Sequence, residues 1–285
     1  MSRRLMSDQV IIFLHIPKTA GVTLNSIIDR VYKKKQLVSL YEKDAKLVSD
    51  DFKNYLPLHQ ASAQLIRGHI PFGLHQYISK PATYITIMRH PVGRVVSHYY
   101  HAQQNPTHKH YQLVAKQGMS LYEYVTSNLS RDLDNCQTRL VSGQLHLPIG
   151  ECTEATLELA KTNIEQHFAV VGLTERFDES LVLFHKLFGW KLPHYGVKNQ
   201  KYKKFSKDHI PVETIKAIEQ RNALDMELYH YAQLRFDQLI THYQPSFSEA
   251  VQQFQKHNAV YKKLYLCYDR AAQVGSRLKH KISSR

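Results

Sequence analysis

Residues 10–31 constrain this chain more than any other stretch. They read VIIFLHIPKTAGVTLNSIIDRV. The apolar run Val10–Ile16 predicts a buried strand, and Pro17-Lys18-Thr19-Ala20-Gly21 predicts a tight loop. Leu24, Ile27, Ile28 and Val31 then recur at the spacing of one helix face. A strand, a tight loop and a helix in that order aim backbone N–H groups at one point. The positive end of the helix dipole falls at the same point. Lys18 adds a full charge there, and Thr19 and Thr23 add hydroxyls. The stretch predicts a phosphate-type anion at the end of the first strand.

It is not a Walker A loop, because G-x-x-x-x-G-K-[ST] is absent. HIPKTAGVT instead resembles the 5′-phosphosulfate loop of sulfotransferases that use 3′-phosphoadenosine 5′-phosphosulfate. Its form is similar to the carbohydrate branch that includes the heparan sulfate and dermatan/chondroitin 2-O-sulfotransferases. The resemblance implies that Pro17, Lys18, Thr19, Ala20, Gly21, Val22 and Thr23 hold the 5′-phosphate. Lys18 would also stabilise charge on the leaving phosphate oxygen. No metal is expected, since a sulfuryl group carries less negative charge than a phosphoryl group.

A second stretch fits the first. Tyr84–Met88 predicts another buried strand, followed by Arg89-His90-Pro91. Pro91 suits the first turn of a helix. Val92, Val95, Val96 and Tyr99 share a face of that helix, and Ser97 lies off it. In the resembled family the arginine and serine at these positions, here Arg89 and Ser97, grip the nucleotide 3′-phosphate. A guanidinium fork matches phosphate oxygens in pairs.

Leu65–His69 predicts a short strand ending in a turn. The resemblance makes His69 the catalytic base, and an imidazole titrates close to working pH. The branch often has a second histidine two positions earlier, where this chain has Arg67. Asn135-Cys136-Gln137-Thr138-Arg139 resembles an N-x-x-T-R segment near the acceptor cleft. Arg67, Asn135, Thr138 and Arg139 are therefore acceptor-contact candidates. Val170–Leu173 predicts a strand, and Leu181, Phe184, His185 and Phe188 a helical stripe. The basic loop Asn199–Lys207 offers Lys201, Lys203 and Lys204 to the 3′-phosphate.

Alternating strand and helix patterns predict an α/β fold with a mainly parallel sheet flanked by helices, like that of P-loop NTPases. One sulfotransferase domain is expected over 8–245. A basic helical extension is expected over 246–285, where Val251, Phe254, Val260, Leu264 and Cys267 carry helical signal. Cys136, Cys152 and Cys267 have neither metal nor disulfide-framework spacing. No signal peptide and no membrane span is visible, so the expected location is cytoplasmic.

The formal net charge is +14. A polyanionic donor accounts for part of it. The tail would suit an anionic polymer or membrane surface. No signature of specific nucleic-acid binding is present. The leading expectation is sulfuryl transfer to a hydroxyl, on a carbohydrate by resemblance. The alternatives are a nucleotide or small-molecule kinase of related fold, and a non-catalytic polyanion binder. Oligomeric state is not legible.

Overall fold

The computed structural model describes residues 9–41, 62–191, 194–195 and 210–261. Its strands are β1 (Val10–Leu14), β2 (Leu37–Leu40), β3 (Leu65–Gly68), β4 (Ala82–Met88) and β5 (Phe168–Leu173). They form one sheet in the order β2-β3-β1-β4-β5. Every neighbouring pair is parallel. The α/β architecture expected from the sequence is the one observed.

β1 is central, and all five of its residues are buried. Successive side chains point to opposite faces, so both faces of the sheet are covered there. A strand in that position has no solvated side, which is why it reads as an unbroken apolar run. The Thr86 hydroxyl of β4 donates to the Leu14 carbonyl at 2.7 Å and ties the two central strands together. β2 has no counterpart in the expectations above. It is a short edge strand in which only Val38 and Leu40 are buried, so it carries little periodic signal.

α1 (Gly21–Val31) buries Leu24, Ile27 and Ile28 as the spacing predicts. α2 (Pro91–Gln104) begins at Pro91 and buries Val92, Val95, Val96 and Tyr99. These four meet Tyr124 and Val125 of α3 (Leu121–Thr126) in a second apolar cluster beside the main core. α4 (Cys136–Ser142) and α5 (Glu154–His167) lead into β5.

In α6 (Phe177–Phe188) the buried side chains are Leu181, Val182, Leu183 and Phe184. His185 is exposed, a correction to the expected stripe. Its ring turns to the helix end, where Nδ1 donates to the Trp190 carbonyl at 2.5 Å.

α7 (Val212–Arg221) and α8 (Ala223–His242) precede a last helix, α9, over 246–261. Phe247 and Phe254 of α9 are buried in the main core. The segment expected to be a separate basic extension thus starts as a helix packed on the domain. Its later part, with Leu264 and Cys267, lies outside the described residues, as do Lys201, Lys203 and Lys204. Among the described residues no helix is long and apolar enough to cross a membrane.

The strand order places the site. The chain leaves β1 toward β2 on one side of the sheet and leaves β4 toward β5 on the other. The carboxyl ends of β1 and β4 therefore flank a topological switch point, where open parallel sheets bind ligands. Lys18 follows β1 and Arg89 follows β4.

Candidate active site

The loop after β1 is held in an unusual backbone shape. Lys18 and Ala20 both have positive φ, 71° and 67°. Between them Thr19 is buried, and its hydroxyl donates to the Ile16 carbonyl at 2.8 Å. That hydroxyl closes the loop on itself and is not aimed outward. Left-handed residues cost energy in non-glycine positions, and their persistence marks a shape fixed by its surroundings. α1 has no side-chain cap and no acidic residue in its first turn. Its opening amides thus present the partial positive charge of a helix start to an incoming anion. Val22 is exposed, while Thr23 is buried in that turn.

Gly21 is a glycine because of His15. A Cβ there would lie 1.7 Å from His15 Nε2. The ring has little room to retreat, stacked on Phe13 at 5.3 Å and tilted against His69 at 4.3 Å. Gly21→Ala is expected to destabilise the fold by about 1–3 kcal/mol, the range for overpacking. Urea unfolding of the variant beside the wild type measures it.

Arg89 is fixed at both ends. Its backbone N–H donates to Gln137 Oε1 at 3.0 Å, and Gln137 Nε2 donates to the Arg89 carbonyl at 2.9 Å. Its guanidinium NH1 donates to the Lys18 carbonyl at 3.1 Å. The second motif thus clasps the first. Gly93, one turn into α2, leaves space for this guanidinium, since a Cβ would stand 3.2 Å from Arg89 Nε. Ser97 lies one further turn along that face and is half-buried. Burial, followed by the Arg89 charge, lowers the Lys18 ammonium to about 8. Burial also lowers Arg89, against an opposing pull from Glu175. Glu175 is itself engaged, accepting from the His90 N–H at 3.1 Å and the Tyr229 hydroxyl at 2.8 Å. Two cations with depressed pKa values at a strand switch point form a site that gains stability when an anion arrives.

His69 stands at the end of β3, beside β1. Its Nδ1 lies 2.8 Å from the His15 carbonyl, which can only accept, so Nδ1 carries the proton. In the neutral ring Nε2 then holds the lone pair, the form a general base requires. The His15 ring is also tied, with Nδ1 3.1 Å from the Tyr41 hydroxyl, which accepts from Asn25 Nδ2 at 2.6 Å. Burial, then the charges of His69, Arg67 and Lys18, hold His15 well below the ordinary imidazole value. It stays neutral beside His69. Sequence reasoning did not single out His15, Gly93 or Gln137. The first two were legible as a polar residue inside the apolar run Val10–Ile16 and a glycine inside a helix.

The acceptor candidates are placed differently from the expectation. Asn135, Thr138 and Arg139 are buried. Asp225 of α8 accepts from the Thr138 N–H at 2.7 Å and its hydroxyl at 2.8 Å, and from the Gln137 N–H at 3.1 Å. Asn135 Oδ1 in turn accepts from the Asp225 N–H at 3.1 Å. α4 and α8 therefore cap each other. Arg139 is enclosed by Asp134, by the Leu147 carbonyl at 2.6 Å and by the Pro148 carbonyl at 2.8 Å. The N-x-x-T-R segment is scaffold here, a correction to its reading as an acceptor contact. Arg67 is also committed, donating to Ser39 Oγ at 3.0 Å and pairing with Asp29 at 2.6 Å, which ties β3 to β2 and α1. Among the described residues no cluster of His, Cys, Asp or Glu is arranged to hold a metal ion.

A strained loop at a helix start is thus clasped by the arginine that follows β4, at the switch point of a parallel sheet. A histidine of set tautomer stands beside that loop. The chain belongs to the galactose-3-O-sulfotransferase family, whose model matches residues 3–272. It is 26% identical to the heparin sulfate O-sulfotransferase of Drosophila melanogaster over 65% of this chain and 57% of that protein. It is 25% identical to human heparan-sulfate 6-O-sulfotransferase 1, over 82% of this chain and 67% of that one. Heparan sulfate 2-O-sulfotransferase hst-2 of Caenorhabditis elegans is also 25% identical, over 79% and 76%. The 2-O and 6-O enzymes match equally well, so the similarity supports the carbohydrate sulfotransferase class as a whole. The chain spans a little over half the length of the Drosophila relative.

Proposed function

We propose that this chain transfers a sulfuryl group from 3′-phosphoadenosine 5′-phosphosulfate to a hydroxyl of a carbohydrate. The observation that carries the reading is the bond from the Arg89 guanidinium to the Lys18 carbonyl, which joins two cationic motifs into one cradle. The residues present fit the donor. Pro17–Thr23 and the start of α1 suit a 5′-phosphate, and Arg89 with Ser97 suits a 3′-phosphate. Lys201, Lys203 and Lys204 are candidates for closing over it. When bound, the donor supplies the sulfuryl group.

His69 Nε2 takes the proton of the acceptor hydroxyl as the new S–O bond forms. Lys18 meets the negative charge that appears on the phosphate oxygen as the old S–O bond breaks. Positioning and charge stabilisation carry such in-line transfers. The family name points to galactose and the relatives' names to heparan sulfate, so the acceptor proposed is a saccharide hydroxyl. The basic tail would add contacts to an anionic polymer.

Calorimetric titration with adenosine 3′,5′-bisphosphate, with ATP and magnesium as comparison, tests the reading. Clear preference for the bisphosphate is expected. Arg89→Ala is expected to weaken it roughly tenfold or more, the scale of a lost charge-assisted hydrogen bond. Preference for ATP, or no nucleotide binding, overturns the proposal.

A further inference from the structure

Beyond Ser97 the same face of α2 carries His101, and the α2 residue His98 and the loop residues His108 and His110 gather with it. The ring of His108 sits at the middle of the group. It is 5.3 Å from His98, 5.5 Å from His101 and 5.4 Å from His110, centroid to centroid. The His108 Nδ1 accepts from the His110 N–H at 3.2 Å, so in the neutral ring its proton is on Nε2. His110 is buried, and among the described residues its Nε2 has no hydrogen-bond partner.

The surroundings are mainly cationic. Lys18 of the phosphate loop, Arg94 of α2 and Lys109 of the loop all act on these rings. From α3, Tyr124 places its hydroxyl 3.1 Å from His98 Nδ1. Against these stands Asp132, 3.7 Å from His98 Nε2 and 3.6 Å from Lys109 Nζ, so its charge is already shared. Burial, and then Lys18 and His98, lower His101 to about 4. Burial, and then its three histidine neighbours and Lys109, lower His108 to about 4. Both rings are half-buried, and the Lys18 charge acts on His101.

We infer that His101, His108 and His110 form a proton-coupled oxyanion subsite next to the phosphate loop, for a phosphate or sulfate group. The group enters with its charge, and His101 and His108 take protons from solvent as it settles. Neutral imidazoles so placed admit the anion without repelling Lys18. Protonated ones then hold it. The oxyanion comes either from the nucleotide or from an acidic saccharide, so the inference rests partly on the donor reading above.

Titration calorimetry at pH 6 in two buffers of different ionisation enthalpy counts the protons. One arm uses adenosine 3′,5′-bisphosphate. The other uses a sulfated hexasaccharide added to protein saturated with the bisphosphate. At pH 6 Lys18 is already protonated and contributes nothing. Sulfate esters do not titrate there, and any proton exchange by the phosphates is common to wild type and variant. Uptake on the order of one proton is expected from rings rising from about 4 toward the ordinary value. It is expected to vanish in a His101→Gln/His108→Gln variant with an unchanged melting transition, and the arm in which it vanishes names the source.

His101→Gln alone, which leaves His108 and His110 in place, is expected to remove part of the uptake. Equal uptake by wild type and the double variant in both arms overturns the inference. If the bisphosphate does not bind at all, the donor reading fails, while the hexasaccharide, titrated alone, still decides the subsite.

Discussion

Replacing His69 with alanine is expected to lower kcat by roughly 10²–10⁴, the range contributed by a positioned general base. Affinity for adenosine 3′,5′-bisphosphate is expected to stay within about twofold, because the proton transfer belongs to the transition state and not to nucleotide binding. The structure makes this a sharp test. Nδ1 of His69 is committed to the His15 carbonyl at 2.8 Å, so catalysis has to use Nε2. His69→Asn separates the two nitrogens. Its side-chain amide can keep the bond to the His15 carbonyl, but it has no basic nitrogen. If anchoring alone mattered, asparagine would restore turnover. If the base matters, asparagine fails as alanine does while the fold is kept. Single-turnover rates for both variants, with unfolding curves as control, give the answer. An alanine variant of full activity would move the base to another residue.

The parts of this site that the sequence displayed are those built from contiguous residues. Arg89 directly follows a buried strand and Lys18 lies in the loop after one, so an apolar run and the polar residues after it locate both. What was not visible depends on residues far apart in the chain. Thr138 and Asn135 resembled acceptor contacts because their spacing matched a known segment. Their partner is Asp225, 87 positions beyond Thr138, and no local pattern announces that pairing. The same holds for Gln137, which grips both backbone groups of Arg89 from 48 positions away. β2 escaped because an edge strand with two buried residues has almost no period to detect. α6 misled through His185, which continues the apolar spacing yet turns to cap its own helix end. The histidines of α2 and of the loop after it were too many to sort by count among 18, and their grouping emerges only when the loop folds back on the helix.

Lys18→Ala is expected to reduce kcat by roughly 10²–10³, the scale of removing one preorganised charge from a developing oxyanion. Bisphosphate affinity should fall much less, since in the proposed site the loop amides and Arg89 would still hold the nucleotide. The pH dependence provides an independent check. In the free protein Lys18 has a pKa of about 8, lowered by burial and by Arg89. Below that value the ammonium is already charged, and affinity carries no cost for protonating it. Above it the amine is neutral, and an anion must draw a proton onto it in order to bind. Lys18 should therefore add no pH dependence to the affinity below pH 8, and above it the affinity should fall by up to about tenfold per unit. Lys18→Met, which keeps the length of the side chain without the charge, should lose both the turnover and this alkaline limb. Arg89→Ala should weaken binding at every pH but keep a limb, moved to higher pH because one depressing charge is gone. A limb unchanged in Lys18→Met would assign the titration to another group. Unchanged turnover in the same variant would remove Lys18 from the transition state.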